Sequence, residues 1–217
     1  MRRIILTDSI LTAFLFIYSP VIHATLLPRD LFAPGDALLT LDTSTGLEWL
    51  DLPQTAGLSY LDVAGGTGGW IAAGFKIAQS SEVNTLWQNA GWNGVQITPQ
   101  YSPDQLAAAR LILNLVGITY PNCSPLEPCD LTQGASETAP PGSDPPGQYV
   151  ETPALIVGGN PSWVQFANGS GVDKWSTAPT RGVWMQRYAA SVPEPSSLLL
   201  LGLGLAGLAA WRQRKTA

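Results

Sequence analysis

Histidine is almost absent from this 217-residue chain, and the single one, His23, lies near the amino terminus. His23 falls in a segment that we expect to be removed, so the body of the protein has no histidine. This absence excludes histidine general bases, serine–histidine triads and histidine metal sites from the body. We expect no cofactor and no metal site.

Basic residues are also scarce. The whole chain has 16 acidic and 11 basic residues, and five of the basic and two of the acidic ones lie in the terminal segments. Residues 25–191 therefore carry 14 acidic and 6 basic side chains, a net charge of about −8. Such a surface repels nucleic acid and anionic lipid, so we expect no nucleic-acid partner.

The amino terminus has the pattern of a secretory signal. Two arginines precede a mostly apolar stretch over residues 4–18, and Ala24 is a small residue of the kind found at a cleavage site. We predict a signal peptide over residues 1–24, cleaved between Ala24 and Thr25, and an extracytoplasmic body. An uncleaved amino-terminal anchor is the alternative.

The carboxyl terminus contains an uncharged apolar run that ends at Trp211. Counted from Pro195, its seventeen residues would form a helix about 26 Å long. That length is at the lower edge of what spans a bilayer core of about 30 Å. We predict a separate transmembrane helix over residues 196–211, stopped at the cytoplasmic side by three basic residues. These residues are Arg212, Arg214 and Lys215.

A Pro-Glu-Pro turn stands directly before this apolar run, in the sequence Val192, Pro193, Glu194, Pro195. The prolines favour an extended segment outside the membrane, which a processing enzyme can bind. Turn, apolar run and basic tail together resemble the PEP-CTERM sorting signal of Gram-negative bacteria, over residues 192–217.

The resemblance to this sorting signal implies a destination and a partner. It implies an exosortase as the processing enzyme, a precursor in the inner membrane, and a final place at the cell surface or in the extracellular matrix. A plain membrane anchor that is never cut is the alternative.

The body, residues 25–191, is the size of one domain. Residues 36–52 predict a hairpin around the turn 42–46, and strand patterns return at the end of the body. These later strands are 154–157, 163–166 with a turn at Asn168-Gly169, and 182–188. With helices between them, the pattern predicts a single α+β domain whose amino- and carboxyl-terminal strands pair in one sheet.

Two to three helices are expected in the middle of the chain. Ser59 and Asp62 have the spacing of a capping box before a short helix. A second helix opens at 80–82, and a third opens at Ser102-Pro103 with Gln105 closing a capping box. Four apolar residues form the expected buried stripe of the third helix: Leu106, Ala109, Leu113 and Val116.

Residues 121–153 contain eight prolines and little apolar sequence, so we predict a long loop there. The only two cysteines, Cys123 and Cys129, lie at its start. Their spacing does not fit a CxxC redox pair. Outside the cytoplasm we expect them to form a disulfide that closes a small loop. Two free thiols are the alternative.

Several short motifs resemble secreted bacterial domains with a C-type-lectin-like fold, such as the C-terminal domain of Lcl-type adhesins. These motifs are Asp42 with 45–51, then 74–78 before 81–83, and the closing stretch 182–187. Residues 74–78 stand where such domains usually have Trp-Arg-Leu-Pro-Thr. The resemblance implies that fold for the body. The calcium motifs of sugar-binding lectins are missing, and Glu127-Pro128 is followed by Cys129. We therefore expect no lectin-type calcium or sugar site.

Two functions remain open. The body, rich in tryptophan, is either a binding module for a polysaccharide or a surface protein, or a secreted hydrolase that uses paired carboxylates. Glu48 and Asp51 would point to opposite faces of a strand, so they could not act on one bond. Asp42 is expected in a turn and Glu48 on a solvated face. We therefore expect no catalytic residue.

We expect each body tryptophan in the core rather than facing a ligand. They are Trp49, Trp70, Trp87, Trp92, Trp163, Trp175 and Trp184.

Overall fold

The computed structural model describes residues 25–94, 102–123, 128–139, 148–159 and 162–190. The predicted signal peptide and the whole sorting segment lie outside these residues. The strands are β1 Leu26–Arg29, β2 Leu39–Asp42, β3 Leu47–Leu50, β4 Lys76–Ile77, β5 Tyr120–Pro121, β6 Cys129–Ala135, β7 Tyr149–Gly159, β8 Ser162–Asp173, β9 Gly182–Val183 and β10 Met185–Tyr188. The helices are a 3₁₀ turn Leu52–Thr55, α1 Tyr60–Ala64, α2 Ser80–Asn89 and α3 Pro103–Val116.

The first sheet joins the two ends of the body. Its strand order is β1-β2-β3-β10-β4, and every pair is antiparallel. Strands β2 and β3 form the expected hairpin, with Leu41 opposite Glu48. The last strand, β10, lies between β3 and β4. The prediction that the terminal strands share one sheet is therefore confirmed.

The second sheet is built from the later part of the chain, in the order β5-β6-β7-β8. Its pairs are antiparallel. Strand β9 adds a short parallel pair to β6, with Gly134 opposite Gly182. The chain thus passes along the second sheet just before it enters the first one as β10, which links the two sheets.

The loop predicted for residues 121–153 is wrong over much of its length, because β6 and the first half of β7 lie inside it. Pro128 directly precedes β6, where it interrupts no pairing. Pro153 lies beyond Gln133↔Ala154, the last pair between β6 and β7, so its missing N–H breaks no bond to β6. The number of prolines was therefore a misleading indicator, because two strands form in this segment.

The turn predicted at Asn168-Gly169 is also wrong. Both residues belong to β8, opposite Pro153 and Thr152 of β7. A register shift between Val150 and Thr152 marks an irregularity in this pairing. The long partner strand β7 continues the ladder through these residues, so the turn-forming tendency of Asn-Gly is overridden.

The three predicted helices are present. Ser59 and Asp62 form the predicted capping box of α1, since each side chain bonds the other's backbone N–H. Gly117 follows α3 with φ of 81°, a conformation that glycine adopts without a steric cost. The capping role expected for Gln105 is wrong. Its side chain instead accepts from Asn93 N and donates to Gly91 O at 2.9 Å each, which fastens α3 to the segment after α2.

Helices α2 and α3 pack with β7 and β8 around a core rich in aromatic rings. Trp87 contacts Trp92, Phe166 and Trp184 within 5.4–6.2 Å between ring centroids. The core prediction is confirmed for five tryptophans, namely Trp49, Trp70, Trp87, Trp92 and Trp184. It is wrong for Trp175, which is 73% exposed. The side chain of Trp163 lies outside the described part.

The disulfide prediction is confirmed. Cys123 and Cys129 are bonded, with their Cα atoms 5.2 Å apart, and Cys123 N donates to Cys129 O at 2.9 Å. The predicted transmembrane helix at 196–211 lies outside the described residues. Within those residues, no helix has the length and apolar character needed to cross a membrane.

Candidate functional site

The sorting residues Val192–Pro195 and the basic residues Arg212, Arg214 and Lys215 lie outside the described part, but the structure shows where the body ends. Strand β10 stops at Tyr188, and Ala189 N donates to Gly46 O at 2.9 Å, in the turn between β2 and β3. The segment that follows Ala190 thus continues from an interior strand of the first sheet.

The predicted cleavage site for the signal peptide adjoins the same sheet. Ala24 lies outside the described residues, and Thr25 is the first of them. Thr25 N donates to Thr43 Oγ1 at 3.0 Å, and Thr43 N donates to Thr25 O at 3.1 Å. A mature chain that begins at Thr25 would therefore have its first residue bonded to the β2–β3 turn.

Asp42 and Glu48 each form contacts with residues that are distant in sequence. Asp42 accepts from Ser44 Oγ at 2.7 Å and from Asn89 Nδ2 at 2.7 Å, which ties the hairpin turn to α2. Glu48 Oε2 is 2.9 Å from Arg187 Nε. Both carboxylates are buried, so the expectation that Glu48 lies on a solvated face is wrong. Glu48 pairs with the late residue Arg187, and short-range sequence patterns do not show that contact.

Asp51, unlike Asp42 and Glu48, has a buried carboxylate oxygen without a hydrogen-bond partner in the described part of the chain. It lies just after β3, and this oxygen is Oδ1. Burial, together with the charge of Asp36, raises the pKa of Asp51 to about 7. Four backbone N–H groups that bond its carboxylate lower the pKa of Asp36 to about 2. Asp51 can therefore exchange a proton near neutral pH, but it is not paired with Glu48.

A second pair of carboxylates, Glu82 and Glu137, lines one cleft beside Tyr60. Glu82 bonds Lys76 Nζ at 2.8 Å and caps α2 through Gln79 N. Glu137 accepts from Tyr60 Oη at 2.5 Å. Sequence reasoning missed Glu137 because it assigned residues 121–153 to a loop. Both carboxylates accept hydrogen bonds from side chains of the body, so we interpret them as structural residues.

No group of three or more histidine, cysteine, aspartate or glutamate side chains that could hold a metal ion occurs within the described residues.

A separate open site lies where α3 meets the second sheet, at the start of β6 and the end of β7. It is a cleft of about 380 Å³ that we call the α3–β6 cleft. Its walls come from α3, the segment after α3, the disulfide loop, the start of β6 and the end of β7. The lining residues are Arg110, Leu113, Asn114, Ile118, Asn122, Pro128, Cys129, Asp130, Val157, Gly158 and Gly159. Sequence reasoning did not identify this site.

Family comparison identifies one segment. Residues 191–215 match the PEP-CTERM protein-sorting motif. The motif implies processing by an exosortase and export to the cell envelope or surface. No curated protein and no solved structure matches this chain.

Proposed function

We propose that this chain is a cell-surface or matrix protein whose precursor is held in the inner membrane of a Gram-negative bacterium. Residues 196–211 hold it there, and an exosortase processes it at Val192–Pro195. The observation that carries the proposal is the match of residues 191–215 to the sorting motif. The basic residues that follow the apolar run fit the cytoplasmic side of a membrane segment.

The end of the body supports this proposal. The Ala189–Gly46 bond places the end of the body at the β2–β3 turn. Leu198, where the apolar run starts, is eight positions after Ala190, and an extended chain over that distance reaches about 28 Å at most. The precursor would therefore hold its β2–β3 turn near the membrane surface, beside an enzyme embedded in it.

We further propose that the body is a binding module with a C-type-lectin-like arrangement. In support, strands from both ends of the body adjoin in the first sheet, the helices follow the early strands, and the second sheet is inserted before β10. The carboxylates weighed for hydrolysis, Asp42 and Glu48, are engaged in buried contacts. The ligand is a polysaccharide or a surface protein.

The sorting proposal is tested in the native host with Glu194→Ala combined with Pro195→Ala. We expect the variant to be exported and held in the membrane but not processed, because the extended charged turn is lost. Precursor with residues 198–217 attached should accumulate, as detected by mass spectrometry of the carboxyl-terminal peptide.

The matched control is Ser196→Ala combined with Ser197→Ala, which changes the two residues after the turn and keeps Glu194 and both prolines. It should mature at the wild-type rate. Maturation of the Glu194/Pro195 variant at that same rate would reject the sorting proposal in favour of a plain anchor.

A further inference from the structure

The α3–β6 cleft is bordered by four polar side chains that come from three separate parts of the chain. Arg110 and Asn114 are one turn apart on α3 and so share its outer face. Asn122 follows β5, and Asp130 is the second residue of β6. The fold, and not proximity in sequence, brings these groups to one opening.

These four side chains have hydrogen-bonding capacity to spare. Among the described residues, none of them forms a side-chain hydrogen bond or an ion pair, and Arg110 and Asp130 do not pair with each other. Elsewhere in the body, Glu48, Asp42 and Gln105 are all engaged. A pocket with a few convergent polar groups is the default candidate for a ligand site.

A disulfide and a strand pairing connect the walls of the cleft, and apolar side chains line part of it. The Cys123–Cys129 disulfide lies between Asn122 and Asp130, and pairing of Cys129 with Gly158 joins it to the end of β7. Leu113 and Val157 are 5% and 7% exposed and contribute aliphatic surface. Gly158 and Gly159 line this wall with backbone alone, and a Cβ added at Gly159 would lie 3.1 Å from Pro128 O, so the two segments pack closely there.

We propose that the α3–β6 cleft binds an uncharged saccharide. One cation and one anion give the cleft no net charge, within a body that carries about −8. A polyanion would meet repulsion from that charge. Arg110 supplies donors, Asp130 supplies acceptors, and the two amides supply both, which matches hydroxyl groups that donate and accept. The aliphatic floor suits the C–H surface of a sugar ring.

This inference rests on the proposed role of the body as a binding module and names its site and ligand class. It is tested with processed protein purified from the host and an array of uncharged oligosaccharides of glucose, mannose and xylose. Alginate and a set of short peptides serve as comparators. We expect binding to at least one uncharged oligosaccharide and none to alginate.

The decisive variant is Arg110→Ala combined with Asn114→Ala. Both side chains are exposed on a helix, where alanine is well tolerated, so the melting temperature should not change. Affinity for the saccharide should fall by about tenfold or more. Gln88→Ala, an exposed position on α2 that does not line the cleft, is the matched control and should bind like wild type.

Each other outcome overturns the inference in a recognisable way. Wild-type affinity in the double variant would show that the body binds sugar elsewhere, and its binding role would stand. Binding to peptides alone, or to nothing on the array, would reject the saccharide site. Processing of the precursor, followed in the same strain, should be unaffected by the cleft variants, so the sorting proposal is judged separately.

Discussion

Arg187 and Glu48 join the last strand of the body to its first hairpin. Arg187 Nε lies 2.9 Å from Glu48 Oε2, between directly opposed residues of β10 and β3. The same guanidinium lies over the Phe75 ring, with Cζ 4.5 Å from the ring centroid. One side chain near the sorting segment therefore connects β3, β10 and the segment before β4.

Arg187→Ala should lower the free energy of unfolding by about 2 kcal/mol, because it leaves the Glu48 carboxylate buried without its cation. The loss is smaller than for a fully buried pair, since the Arg187 side chain is 28% exposed. Lys76→Ala breaks the more exposed pair with Glu82 and should cost less than about 0.5 kcal/mol. Urea denaturation of both variants measures the difference, and equal losses would contradict this role of the buried pair.

Asp51→Asn should raise the melting temperature at pH 8 and have less effect at pH 4. Its folded pKa of about 7 exceeds the usual aspartate pKa of 3.8, so the folded protein binds this proton more tightly than the unfolded chain does. The stabilisation is present below pH 4 and is lost as the pH rises through 7. Thermal unfolding across that range tests it, with Asp104→Asn on the exposed start of α3 as control. A wild-type pH profile in the Asp51 variant would contradict the assignment.

Replacing Cys123 and Cys129 together by serine should lower stability by about 2 kcal/mol, because the closed loop is short. The exported wild-type protein should show no thiol that reacts before reduction.

The same double serine variant should also weaken saccharide binding, since the disulfide joins the walls that carry Asn122 and Asp130. Unchanged binding in the double serine variant would mean that the cleft does not depend on this crosslink.

Calcium chelation should leave the melting temperature of the body unchanged, because the calcium motifs of sugar-binding lectins are missing from the sequence. Differential scanning fluorimetry with and without chelator measures this directly. Calcium-saturated chelator, which cannot remove calcium from the protein, is the control for ionic strength. A large drop specific to calcium removal would point to a metal site formed by residues from separate parts of the chain.

Local chemistry explains what could be predicted from the sequence. The capping box at Ser59 and Asp62, the β2–β3 turn and the glycine that follows α3 depend on bonds between residues a few positions apart. The Cys123–Cys129 loop is similarly short. The sorting segment could also be recognised from sequence, because its turn, apolar run and basic residues follow one another directly along the chain.

Only the tertiary structure decided which polar groups are used and which remain available. Residues 129–135 and 149–159 become strands because each finds a partner strand, although prolines dominate the segment around them. Glu48 is buried because Arg187 comes to lie opposite it, 139 positions later. Arg110, Asn114, Asn122 and Asp130 form one cleft because α3 packs against the second sheet. Such contacts join residues that are distant in sequence, so no local pattern contains them.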